Sequence, residues 1–225
     1  MDQTKKHNGG FSLFELLIAM TITLVVMTIT STLLADAFGV RSRENQRSDA
    51  LADAQRALNI MTREIANSGF GLTDNGIVPT DSDLSSIRFR ANLNAFDSQT
   101  TSATISDRNE DVKYSLYTAG GASYIVRLDI GTQNQTTVLA NRVDSLKIRY
   151  YPSRIAYTMS STVAACDIST NASEVTLKSD AKYIVISLCV ELPAVGQPQA
   201  PGYQPASRVQ LASDVYLRNA DISNY

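Results

Sequence analysis

The chain has 225 residues, 44% of them hydrophobic, a mean hydropathy of −0.10 and a formal net charge of −2. That length accommodates one membrane helix and one domain of about 150 residues, while the mean hydropathy excludes a protein with many membrane spans. The charge supplies no basic footprint for duplex nucleic acid, and His7, in the short basic leader, is the single histidine, so a chain that loses the leader has none for Ser–His or Cys–His hydrolase chemistry or for most zinc sites.

The chain opens on Lys5-Lys6-His7-Asn8-Gly9-Gly10-Phe11-Ser12-Leu13-Phe14-Glu15 and runs into an apolar stretch. From Leu13 to Leu34 the only ionisable residue is Glu15. Those residues span about 33 Å as a helix, enough to cross a bilayer. A carboxylate in hydrocarbon costs roughly 2.5–3.5 kcal/mol, so Glu15 is a functional candidate by position. Lys5 and Lys6 precede the stretch and Asp36 follows it, which orients the leader to the cytoplasm and the remainder outside it. An ordinary secretory signal has a shorter apolar core followed by a small-x-small cleavage site, and this arrangement differs from that. The hydroxyls of Thr21, Thr23, Thr28, Thr30, Ser31 and Thr32 are expected to bond back to the preceding turn rather than to another helix.

No proline occurs before Pro79, so the helix is expected to continue to about Ser68, with Gly39 its weakest point. Leu51, Ala54, Leu58, Met61 and Ile65 follow a 3-4-3-4 spacing, an apolar stripe suited to packing on a sheet. Ser68-Gly69-Phe70-Gly71 supplies the stop. Beyond the turn signal Asn75-Gly76 the pattern changes to short alternating runs. Expected strands are Ser86 to Leu93, Asp111 to Tyr117, Ser123 to Ile130, Thr137 to Leu139, Ser145 to Tyr151, Lys182 to Leu192 and Arg208 to Arg218. Gly120-Gly121 reads as a hairpin turn and Asn94 to Asp111 as a loop. Pro193 to Pro205 holds four of the six prolines and two glycines and reads as an extended connector. The fold class is therefore α+β, a long N-terminal helix packed on a mostly antiparallel sheet.

Cys166 and Cys189 both fall in the part placed outside the cytoplasm. They either form a bridge, which would stabilise by about 3 kcal/mol, or remain two buried thiols. Asp81-Ser82-Asp83 and Asp107-Arg108-Asn109-Glu110-Asp111 lack the oxygen-ligand spacing of a calcium loop, so no metal or cofactor is expected. The tyrosines read as half-buried sheet residues rather than a binding surface.

The segment from Lys5 to Glu15 resembles the class III signal of type IV pilins and their relatives. The resemblance implies cleavage between Gly10 and Phe11 by a prepilin peptidase and N-methyltransferase, and methylation of the new amine on Phe11. It further implies pairing of Glu15 with the N-terminal amine of a neighbouring subunit during filament assembly. The stretch Ala54 to Phe70 looks like the helix end of PilW-type minor pilins. Val138 to Tyr151 and Ala212 to Asn219, with its Leu217-Arg218-Asn219, resemble two further segments of the same branch. Together these imply a leader over 1–10, a transmembrane helix over 11–35, an amphipathic extension over 36–70 and a periplasmic or extracellular β-rich domain over 71–225.

The function so implied is that of a minor pilin in the priming or assembly of a pilus, not an enzyme. The implied location is the inner membrane, single pass, and then the filament or its tip. The implied partners are the peptidase, other minor pilins, the major pilin, an inner-membrane assembly platform and membrane lipid, with no nucleic acid. A J-type pseudopilin of a type II secretion system, which shares the helix-end pattern, is the nearest alternative. A tip adhesin or DNA-uptake module is the more distant one.

Overall fold

The structure, a computed structural model, describes residues 11–95, 105, 107–131, 135–160, 165–192, 194–196, 198 and 203–220. The expected leader over 1–10, including Gly10, lies outside the described residues. The chain divides into two compact units, Met1–Asn45 with Val195–Gln204, and Gln46–Ala194 with Pro205–Tyr225.

In the first unit the chain is helical from Leu13 onward, the beginning of α1 (Leu13–Ile65), and helical hydrogen bonding passes through Gly39 without a break. The apolar residues from Leu13 to Leu34 are exposed, and the helix is long and apolar enough to cross a membrane. Val195 and Gln204 exchange main-chain hydrogen bonds, both 2.9 Å. The connector expected to be simply extended is therefore folded back on itself, closed by this antiparallel bridge between Val195 and Gln204.

The second unit holds the remainder of α1 and nine strands among the described residues. Strands β1 (Ser86–Arg90), β2 (Asp111–Ala119), β3 (Ala122–Asp129) and β4 (Gln135–Asn141) form an antiparallel meander in the order β1-β2-β3-β4. A second antiparallel sheet is ordered β5 (Val143–Tyr151), β8 (Tyr183–Leu192), β9 (Ser207–Tyr216). A ribbon of β6 (Thr158–Met159) and β7 (Ile168–Ser169) is a third. The expected long helix on mostly antiparallel sheet structure is present, with its strands divided between two sheets and a ribbon. Alternation marks strands but is silent on which edges pair, and β5 joins β8, more than thirty residues on, rather than its chain neighbour β4.

Gly120 and Gly121 have φ of 59° and 78° and close the β2–β3 hairpin between Ala119 and Ala122, the backbone that a two-residue turn with two positive φ values needs. The first strand stops at Arg90, short of Leu93.

Ala54, Leu58, Met61 and Ile65 are buried as the stripe predicts, joined by Ala50 and Ala57, while Leu51 is only half-buried. The alanines allow the helix close to the sheets, and each large side chain buried there contributes roughly 1.5–3 kcal/mol. The four-stranded sheet offers Ile87, Phe89, Val112, Tyr114 and Ile125 to this core, and the three-stranded sheet offers Leu146, Ile148, Ile184, Ile186 and Leu188.

Alternate residues of β8 point the other way. Tyr183 and Val185 form a second cluster with Tyr151 and Ile168. The excursion between β5 and β8 therefore covers the outer face of β8, leaving that strand buried on both sides, which explains its nearly continuous apolar run.

Candidate assembly site

α1 begins two residues after Phe11, at Leu13. The Ser12 hydroxyl accepts a hydrogen bond from the Phe14 N–H at 3.3 Å, and the Ser12 carbonyl accepts from the Leu16 N–H at 3.1 Å. Ser12 is thus the N-cap, which satisfies one of the helix's otherwise unpaired donors. Glu15 lies in the first turn, where a carboxylate complements the helix dipole. Ser12-Leu13-Phe14-Glu15 has the Ser-x-x-Glu spacing of a capping box. That signal was present in the sequence beside the one that drew attention to Glu15.

Phe11 is 83% exposed. The hydroxyls of Thr21, Thr23, Thr28, Thr30 and Thr32 donate to carbonyls three or four residues back at 2.7–2.8 Å. Their polar hydrogens are consumed within the helix, leaving an apolar surface suited to lipid or to other helices.

In the second unit, the end of α1 is held by contacts that sequence reading did not anticipate. The Glu64 carboxylate accepts from the Tyr114 hydroxyl at 2.6 Å and from Arg127 Nε at 2.9 Å. Burial, reinforced by the Glu64 charge, pushes the Tyr114 hydroxyl far above its ordinary value. Burial disfavours the Arg127 charge, but the Glu64 bond and charge outweigh it and raise that pKa.

At the helix stop, Gly69 has φ of 78°, the left-handed conformation favoured by glycine. The Arg218 N–H donates to Ala66 O at 3.3 Å and the Asn219 side-chain amide to Ser68 O at 3.2 Å. Asn75 is buried, and its amide donates to Lys178 O and Ala181 O, both at 2.9 Å. Two segments read separately in the sequence, the helix end and Leu217-Arg218-Asn219, are therefore one cap.

Cys166 and Cys189 are joined as a disulfide, with Cα atoms 5.8 Å apart. The bond ties the covering excursion to β8. Arg149 clamps the same excursion, with Nε donating to Asp167 at 2.8 Å and Nη1 pairing with Glu174. The acidic runs are occupied by internal contacts. Arg88 Nε and Nη2 grip Asp111 at 2.8 and 2.7 Å, Asp83 accepts from the Ser85 N–H at 2.6 Å, and Glu110 accepts from the Leu93 N–H at 2.9 Å. No group of three or more His, Cys, Asp or Glu side chains is placed to hold a metal ion among the described residues. Tyr114, Tyr150, Tyr151 and Tyr183 are buried rather than half-buried, and Tyr117 is 57% exposed. Tyr225 lies outside the described residues.

Residues 5–31 match the family model described as the prokaryotic N-terminal methylation motif, a span that includes Gly10, Phe11 and Glu15. A type IV-like pilin from Thermus thermophilus is similar in structure at 10% identity, with a TM-score of 0.44, covering 76% of this chain and 96% of that one. No curated protein matches.

Proposed function

We propose that this chain is the precursor of a membrane-anchored subunit of a type IV pilin-like filament, acting as a PilW-type minor pilin in filament priming or assembly. The observation that carries the reading is the coincidence of three features at one point. The methylation motif covers residues 5–31, helix capping starts at Ser12, and an exposed apolar helix runs on from Leu13. Cleavage between Gly10 and Phe11 then frees an amine one residue before the N-cap, on a helix that stays attached to the domain.

Glu15 is one turn from that amine. A carboxylate and an ammonium of adjacent subunits attract strongly in a low-dielectric medium, and either one unpaired is penalised. The subunit is anchored in the inner membrane with its β-rich unit outside the cytoplasm, and enters the filament alongside other pilins through the assembly platform. Its role is mechanical assembly rather than catalysis.

The test is mass spectrometry of the N-terminal peptide from sheared filaments and from membranes of the same cells. The expected result is a chain beginning at N-methylated Phe11 and recovered with filaments. A chain that retains residues 1–10 in cells with active peptidase overturns the proposal. Correct processing without filament recovery transfers the assignment to a J-type pseudopilin.

A further inference from the structure

The first unit joins two segments far apart in sequence, the helix up to Asn45 and the hairpin Val195–Gln204, although β8 and β9, which that hairpin connects, belong to the second unit. From 35 to 49 every residue is exposed except Asp36, half-buried, and Arg43, 7% exposed. Seven residues apart, these two lie on one face of the helix. Beyond Ser12, the hairpin is the non-helical segment of this unit among the described residues, and Tyr203 and Gln204 on its returning arm are half-buried. Asp36 follows the apolar stretch closely, and Arg43 lies about 13.5 Å along the helix past Leu34. The polar layer of a bilayer is roughly 5–8 Å thick on each side of the hydrocarbon. The covered face therefore begins within that layer and ends just outside it.

We infer that the β8–β9 hairpin rests on the bilayer surface beside the membrane helix, with Val195 and Tyr203 at the headgroup layer. The inference rests on the membrane anchoring in the reading above and adds a second foothold to it. Three features of the hairpin suit that setting. No Asp, Glu, Lys or Arg occurs between Glu191 and Arg208, where the chain's 19% charged content would place about three, and charge is disfavoured close to hydrocarbon. Four of the six prolines fall in the same stretch; each removes an N–H that would otherwise need a partner where water is scarce, while Val195 and Gln204 pair their main chains. Val195 is 47% exposed, and a tyrosine such as Tyr203 is favoured at a membrane–water interface. With no Lys or Arg in the hairpin, the surface it fits is the neutral headgroup layer rather than an anionic lipid.

The chain contains no tryptophan, so single substitutions each supply one fluorescent probe. The full chain is reconstituted into phosphatidylcholine vesicles whose acyl chains carry bromine, a contact quencher, either near the headgroup or near the chain end. Val195→Trp and Tyr203→Trp report the hairpin, Leu24→Trp the middle of the apolar stretch, and Tyr117→Trp an exposed position on β2. With bromine near the headgroup, both hairpin probes are expected to be quenched at least about two-fold more than Tyr117→Trp. With bromine near the chain end, Leu24→Trp should be quenched most. Adding Val195→Asp to the Tyr203→Trp chain should roughly halve its quenching, since a charge is driven out of the interface. Hairpin probes quenched no more than Tyr117→Trp, beside a quenched Leu24→Trp, overturn the inference and leave the anchor standing. Quenching that requires anionic lipid, or that ignores Val195→Asp, also overturns it, by assigning the contact to basic helix residues or to the introduced tryptophan. An unquenched Leu24→Trp overturns the anchor and the hairpin contact together.

Discussion

The side-chain amide of Asn219 donates to the main-chain carbonyl of Ser68 at 3.2 Å, across 151 positions of sequence. It satisfies one of the carbonyls left open where α1 ends, and the Arg218 N–H satisfies that of Ala66 beside it. The segment just beyond β9 thus fastens the end of the helix whose other end lies in the methylation motif. Asn219→Ala is expected to lower stability by about 1 kcal/mol, seen in denaturant unfolding in detergent as an earlier midpoint with an unchanged slope.

Glycine substitutions should separate sharply by site. Gly76 has φ of 74°, and a Cβ there would sit 2.3 Å from the Arg90 carbonyl oxygen. Gly76→Ala is expected to cost more than about 2 kcal/mol, from backbone strain and displacement of β1. Gly39 lies mid-helix with nothing within 4 Å of the added methyl, so Gly39→Ala should be neutral or gain up to about 1 kcal/mol. Thermal unfolding of the two variants side by side checks both signs.

Reduction of Cys166–Cys189 should loosen the molecule locally. The bond secures the excursion over Tyr183 and Val185, a cluster separate from the main core between α1 and the sheets. Hydrogen exchange in the Cys166→Ser/Cys189→Ser variant should rise over 152–181 and the outer face of β8 while the end of α1 stays protected. Total stability should fall by about 3 kcal/mol. Uniform acceleration across α1 would show instead that the two clusters unfold as one.

Acid should act on the same excursion through Asp167. Burial disfavours its charge, but the two-pronged hydrogen bond from Arg149 outweighs that and holds its pKa below the ordinary 3.8. A depressed folded pKa means that the unfolded chain takes up the proton first. The stabilisation is complete above about pH 4 and is lost as pH falls through the folded value. Arg149→Leu should therefore flatten the dependence of stability on pH below 4, measured as unfolding midpoints across that range.

At the membrane end, Glu15→Gln should leave processing at Phe11 intact while removing the carboxylate proposed to meet a neighbouring amine. The expected outcome is normally processed subunit in membranes and its loss from sheared filaments, read by immunoblot of both fractions. Undiminished recovery in filaments would leave Glu15 the smaller role of complementing the dipole of its own helix.

The N-terminal signal, the helix and its buried stripe were legible because each depends on neighbours within a few turns. Lys5, Lys6, Gly10, Phe11 and Glu15 are marked by charge and hydropathy along the chain. Ala54, Leu58, Met61 and Ile65 repeat at the helical period. Gly120-Gly121 declared its hairpin because a two-residue turn needs positive φ at both positions.

What only the tertiary structure decided was pairing at a distance. Strand alternation names a face but no partner, so the split into two sheets and a ribbon, with β5 beside β8, was invisible. The same holds for Glu64 with Tyr114 and Arg127, for Asn219 with Ser68, and for the choice between a bridge and two thiols at Cys166 and Cys189. Those contacts join residues that carry no local mark of one another, and they exist only once the main core has brought the helix end, β2, β3 and the last strand into one place.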